Sequence, residues 1–234
     1  MLFMTASRAN RMLALLAIPV VLVSCKEKSE TGAPPDASPA VAPSVAPANT
    51  ALRPPSAKPA ASPDSFRVLF ETSRGNFTVE VKRALAPIGV DRFYEMVQMN
   101  YFADARFFRV VPGFVAQFGM HSDPEFNKAW MESLLPDDPV AASNKRGTLV
   151  YASMMRPGTR SSQFFINFGD NTNLDGMGFA PFGQVVEGMT VVDSINAEYG
   201  ESPDQERIAA EGNAYLAKAF PKLDYIKAVR IVPR

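Results

Sequence analysis

The sequence is poor in the residues on which most metal and thiol chemistry depends: its 234 residues include one cysteine and one histidine. One of each cannot assemble a zinc site, a disulfide framework or a Cys/His nucleophile pair. A surplus of charge is also lacking, because 24 Lys+Arg are balanced by 24 Asp+Glu. Nucleic-acid binding needs cations in excess on one face, so nucleic acid is not an expected partner. Aromatics are absent from a long N-terminal stretch: of 17 Phe, one is Phe3 and the rest lie from Phe66 onward. A packed core is therefore expected to start near residue 66.

What the N-terminal part does contain is a basic start (Arg8, Arg11), an apolar run from Met12 to Val23, and Leu22-Val23-Ser24-Cys25. The run is shorter than the about 20 residues a bilayer-spanning helix needs, so 1–24 is expected to be a targeting segment. The Leu-x-Ser-Cys pattern resembles a bacterial lipobox, which implies cleavage before Cys25 and lipidation of its thiol and new amino terminus. More than one acyl chain is what stable anchoring requires. Such cleavage removes two Arg and no acid, leaving 22 basic and 24 acidic residues. Lys26, rather than Asp, follows the cysteine and resembles an outer-membrane sorting signal, so the outer membrane facing the periplasm is the expected location. In a Gram-positive host it would be the envelope side of the membrane. Residues 25–65 carry nine Pro between 31 and 63 and almost no large apolar side chains. They are expected to be a disordered tether, reaching roughly 100 Å if extended as polyproline II.

From 66 to 234 one folded domain is expected. Phe66 to Thr72 and Asn76 to Val81 alternate apolar and polar residues about Ser73-Arg74-Gly75, a β-hairpin pattern. Ile88, Val90, Phe93, Met96 and Val97 recur at helical spacing after Pro87. Short β-rich runs follow at 109–118, 148–152, 163–168, 182–186 and 225–232, with helices at 189–197 and 203–219. His121 to Arg146 shows no clear period and reads as an irregular loop. Many short strands with two or three helices fit a closed barrel better than a parallel α/β sheet.

The stretch Phe107-Phe108-Arg109-Val110-Val111-Pro112-Gly113-Phe114-Val115-Ala116-Gln117 places a cation and an amide among large apolar residues. Read as one strand, it puts Arg109, Val111, Val115 and Gln117 on one face unless Pro112-Gly113 bends it. An Arg paired with an acid at a strand edge fits the stretch equally well. The stretch resembles the Phe-His-Arg-x-x-Pro-Gly-Phe-x-x-Gln segment of cyclophilin-type peptidyl-prolyl isomerases. Gly147 to Ala152, Ser162-Gln163-Phe164-Phe165-Ile166, Leu174-Asp175-Gly176 and Phe182 to Met189 resemble further blocks of that family, in its order.

The resemblance implies a mainly β, closed eight-stranded antiparallel barrel capped by two or three helices. It also implies cis/trans isomerisation of X-Pro bonds, with proline-containing proteins as partners. The chain is expected to be a monomer, and no cofactor or metal is expected because residues for metal or dinucleotide binding are lacking. Arg109 takes the catalytic position, with Gln117 and Phe114 beside it. Val111, Val115, Ala152, Ser153, Gln163, Phe165, Asn173 and Leu174 match substrate-contacting positions. Several positions depart from the family: Phe108 replaces a His, Ser153 an Asn and Asn173 a Trp. The pocket His falls in the Met177-Gly178-Phe179 region, and Gln-Gly-Gly-Asp becomes Gln117-Phe118-Gly119-Met120. These departures leave a proline-peptide-binding module or holdase as an alternative, and strand richness alone would suit a ligand-carrying barrel of lipocalin type. Met154, Met155 and Trp130 are expected to be packing residues, His121 exposed or locally bonded, and Asp137-Asp138 part of a turn.

Overall fold

The computed structural model describes residues 53–233. The lipobox-like segment, Cys25 and most of the expected tether lie outside the described residues. Eight strands form one antiparallel sheet in the order β3-β4-β6-β5-β7-β2-β1-β8. They are β1 (Ser65–Thr72), β2 (Gly75–Lys82), β3 (Arg109–Val111), β4 (Val115–Phe118), β5 (Thr148–Tyr151), β6 (Phe164–Asn167), β7 (Pro181–Glu187) and β8 (Ile226–Val232). The ladder ends at β3 and β8, and the segments leading into these strands join its two ends. Asp104 N–H donates to the Ile226 carbonyl at 2.8 Å and Phe107 N–H to that of Asp224 at 2.9 Å.

The alternation read in the sequence is what places the core. In β1 every second residue, Phe66, Val68, Phe70 and Thr72, is buried. Phe70 stacks on Phe77 at 4.7 Å, while Phe93, Phe102, Phe118, Phe164 and Phe182 pack ring against ring in the interior, edge-on or tilted except for the near-parallel Phe118 and Phe164. All of these rings are fully buried, each contributing on the order of 2 kcal/mol by leaving water. Among the described residues, a barrel interior filled with aromatics leaves no room for an elongated ligand, which removes the lipocalin-like alternative.

Five α-helices occur among the described residues: α1 (Pro87–Gln98), α2 (Pro124–Glu132), α3 (Met189–Asp193), α4 (Gln205–Glu211) and α5 (Asn213–Ala219). That is more than the two or three expected, for two local reasons. The aperiodic segment contains α2, where Pro124 occupies the first turn and the Asp123 carboxylate accepts from Phe126 N–H, a cap that nine residues are too short to advertise by periodicity. The helix expected over 203–219 is two helices broken at Gly212. Gly212 has φ +59°, and a Cβ there would lie 2.3 Å from the Ser122 carbonyl oxygen, so only glycine permits this approach.

Asp138, expected in a turn, is buried: its carboxylate accepts from Ile88 and Gly89 N–H at 3.0 and 2.9 Å and meets the Arg160 guanidinium at 3.0 Å. It supplies α1 with the N-terminal acceptor that its own Ala86 lacks. Trp130 is packed as expected. His121 is buried and locally bonded, its Nδ1 accepting from Asp123 N–H at 3.0 Å, and burial lowers its pKa.

Packed chain begins earlier than residue 66. Arg53 meets Glu95 at 2.8 Å, Arg92 Nη2 donates to the Ser56 carbonyl at 2.8 Å, and Ser62 N–H donates to Asp91 at 2.9 Å. Arg92 and Glu95 are buried polar residues of α1 and need partners there. The composition of 53–64 hides this, because the contacts are made by backbone groups and polar side chains.

Candidate active site

Arg109 and Gln117 are cross-strand partners in a hairpin, not neighbours along one strand. Pro112-Gly113 turns the chain between β3 and β4, with Gly113 at φ +74° and Phe114 N–H donating to the Val111 carbonyl at 3.0 Å. Directly opposed residues share a face, so the turn sets the arginine beside the glutamine. Arg109 Nη1 donates to Gln117 Oε1 at 3.3 Å, and Gln117 Nε2 donates to Gln163 Oε1 at 2.8 Å. Gln117 is buried. The same turn folds the Phe114 ring to 5.6 Å from the Arg109 guanidinium. Arg109 Nε and Nη2 both meet Glu201 Oε1, at 2.6 and 2.5 Å, so the acid-paired edge arginine allowed by the sequence is present within the site itself.

Beside this polar line lies an apolar cluster in which Val115, Val150, Phe165 and Leu174 are buried and Phe114, Ala152 and Phe179 pack against them. Strand pairing explains the grouping, since β6 lies between β4 and β5, and Phe165 is opposed by Gln117 on one side and Val150 on the other. Leu174 comes from a 3-10 turn, Thr172–Met177, held by a polar network. Asp175 accepts from Ser143 Oγ at 2.5 Å and Asn144 Nδ2 at 2.7 Å, and Asn171 Nδ2 donates to the Phe114 carbonyl at 2.9 Å. The Ser143 hydroxyl, followed by the Asn144 side chain and amide, holds the Asp175 carboxyl below the usual carboxylate range.

The cavity between these groups has a volume of about 540 Å³, the size of a short peptide segment or drug-sized ligand. Arg109, Phe114, Val115, Gln117, Ala152 and Ser153 line it, as do Gln163, Phe165, Asn173 and Leu174. Val111 does not. It ends the three-residue β3, and the turn that follows brings Phe114 to the arginine instead. Sequence reasoning missed a second wall formed by Met131 and Leu134, at and beyond the end of α2, facing Met154 and Met155 of the loop after β5. Those two methionines are not packing residues: they are 59% and 69% exposed. Thr159 Oγ1 accepts from Met154 N–H, and Met155 adopts φ +54°, so the loop presents them outward. Met177, Phe179, Gln205, Thr159 and Ser161 also line the cavity. The exposed methionines carried no periodic signal; an apolar pair just before Arg156-Pro157-Gly158 was the one available hint.

The comparisons with known proteins agree with this geometry. The family model "Cyclophilin type peptidyl-prolyl cis-trans isomerase/CLD" matches residues 67–212. Peptidyl-prolyl cis-trans isomerase A of Dickeya dadantii is 36% identical over 140 residues, which is 58% of this chain and 74% of that protein. Peptidyl-prolyl cis-trans isomerase B of Escherichia coli is 30% identical over 166 residues, 68% of this chain and 94% of that protein. The crystal structure of a Cryptosporidium parvum cyclophilin type peptidyl-prolyl cis-trans isomerase shares the fold, with TM-score 0.55 at 19% identity over 73% of this chain and 99% of that one. With the eight-stranded antiparallel sheet, the aromatic interior and the Arg-Gln line beside an apolar pocket in place, the chain belongs to the cyclophilin-type peptidyl-prolyl cis-trans isomerases.

Proposed function

We propose that this enzyme isomerises X-Pro bonds in proteins outside the cytoplasm and so assists their folding, with Arg109 as the group that favours the twisted amide. An X-Pro bond resists rotation by about 18–20 kcal/mol because the nitrogen lone pair is delocalised into the carbonyl. Uncatalysed exchange takes tens of seconds or more. In the twisted state that lone pair becomes a hydrogen-bond acceptor, so a fixed cation beside it binds the transition state better than the ground state. No proton is transferred. Arginine suits the task because it stays charged and its fork of donors is rigid. The apolar cluster of Val115, Phe165 and Leu174 would hold the proline ring while the preceding residue turns past Gln163 and Ala152. The observation that carries this reading is the Arg109 guanidinium standing at the edge of that cluster, braced by Gln117, which is itself bonded to Gln163.

Location rests on the sequence alone: the lipobox-like Leu22 to Cys25 supports a diacylated and N-acylated anchor, and Lys26 supports the outer membrane. The experiment has two arms. The chain should shorten the slow, proline-limited refolding phase of a client protein. Metabolic labelling with a radioactive fatty acid should mark the wild type in the envelope fraction and leave a Cys25→Ser variant unlabelled. An unlabelled wild type would overturn the anchor, and an unaltered slow phase would overturn the folding role.

A further inference from the structure

The Glu201 carboxylate against Arg109 has a structural cause in residues where this chain departs from the family pattern. Phe108 and Met120, standing where the family segment has His and Asp, are buried in a small second core with Ile208, Tyr215, Leu216 and Leu223. That core is the seat of α4 and α5. The loop entering α4 also joins the sheet edge, because Val110 N–H in β3 donates to the Gly200 carbonyl at 3.1 Å. The next residue is Glu201, so its carboxylate is delivered to Arg109 by backbone pairing. Gln205, in the first turn of α4, reaches the same cavity.

The pair is asymmetric. Arg109 is 25% exposed in its side chain and Glu201 is 63% exposed, so water competes for the carboxylate far more than for the guanidinium. An exposed pair of this kind is weak and can open at little cost. While closed it withdraws one edge of the guanidinium fork and cancels much of the positive potential that the twisted amide would use. A peptide must therefore compete with Glu201 for Arg109, and a carboxylate near the proline would meet a like charge.

Building on the isomerase reading, we propose that Glu201 is a specificity-determining residue. It occupies Arg109 in the empty site, yields it to the entering peptide, and selects against peptides with an acidic residue next to proline. The test uses the full chain in a non-ionic detergent and three peptides, Ala-X-Pro-Ala with X as Lys, Ala or Glu, read by NMR exchange between cis and trans forms. The wild type and the Glu201→Gln, Glu201→Ala and Glu201→Asp variants are compared, with Arg109→Ala as the reference for lost catalysis. Removing one negative charge at the edge of the cavity should lower the Lys-over-Glu ratio of kcat/KM about fivefold in the Gln and Ala variants alike. It should raise kcat/KM most for the Glu peptide and least for the Lys peptide, mainly through KM, and the Asp variant should keep the wild-type ratio. The shift should shrink in high salt.

An unchanged ratio, or a fall in kcat in the Ala variant that Gln restores, would overturn the proposal and make Glu201 a mere brace for the arginine. Loss of exchange in Arg109→Ala with no effect at Glu201 would sink this inference and leave the isomerase reading standing. A wild type that accelerates none of the peptides would sink both.

Discussion

Arg109 has three neighbours of different chemistry: the Gln117 amide, the Phe114 ring and the Glu201 carboxylate. Only the first two could be read in advance, because both lie within eight residues in the motif, whereas Glu201 is 92 positions away and arrives through a turn that carries no motif. At this scale Arg109→Lys should be almost as damaging as Arg109→Ala, since a flexible point charge cannot hold the Gln117 bond and face the amide together. A loss on the order of 10²-fold in kcat is expected for either, and near-normal turnover in the Lys variant would show that charge alone suffices. Phe165→Ala should cost about 3 kcal/mol of stability, read as a shift of the urea midpoint, and should also raise KM. A stability loss with unchanged KM would reduce Phe165 to core. Asn173 lines the cavity at the position where the family resemblance implies a tryptophan that hydrogen-bonds cyclosporin, so weak cyclosporin binding is expected, and a submicromolar affinity would contradict it.

The β-hairpin, the first helix and the last strand were legible because hydrophobic alternation or helical spacing persists through each of them. Shorter elements were not. The pair β3 and β4 looked like one strand because two runs of three and four residues are joined by a tight turn, and α2 was masked by its brevity. The turn carrying Leu174 depends on a polar network drawn from 143–144, 167 and 171, which no local pattern reveals. Its Asp175 titrates below the usual range, first through the Ser143 hydroxyl and then through Asn144. A lowered folded-state pKa means that the carboxylate's contribution is present above its unfolded value and is lost as pH falls through the folded one. KM, a property of the folded enzyme, should therefore hold steady from neutral pH through the ordinary carboxylate range and rise only below it, where the folded-state Asp175 takes up its proton. Asp175→Asn should raise KM at neutral pH and flatten that rise. An acid-side rise that survives in the variant would assign it to another group.

At the scale of the molecule, the family and the barrel were legible in the motifs and the strand pattern, as was most of the cavity lining, but the start of the packed chain was not. Polar contacts from Arg53, Ser56 and Ser62 over α1 leave no mark in hydropathy. A chain beginning at residue 64 should consequently be less stable than one beginning at 53. It leaves the Arg92 and Glu95 pair short of partners, at a cost of about 2 kcal/mol, which is a fall of roughly 5 °C in Tm. Equal melting temperatures would show that the strap adds nothing. Arg109 is the group proposed to lower the barrier of the X-Pro bond. The most direct measurement is NMR exchange between the cis and trans forms of an Ala-Pro peptide, with wild type and with Arg109→Ala at matched peptide saturation. Exchange accelerated by the wild type and largely lost in the variant, with the peptide still bound, is the predicted result. Peptide that binds both proteins while exchanging at the uncatalysed rate would contradict it and leave a proline-binding module.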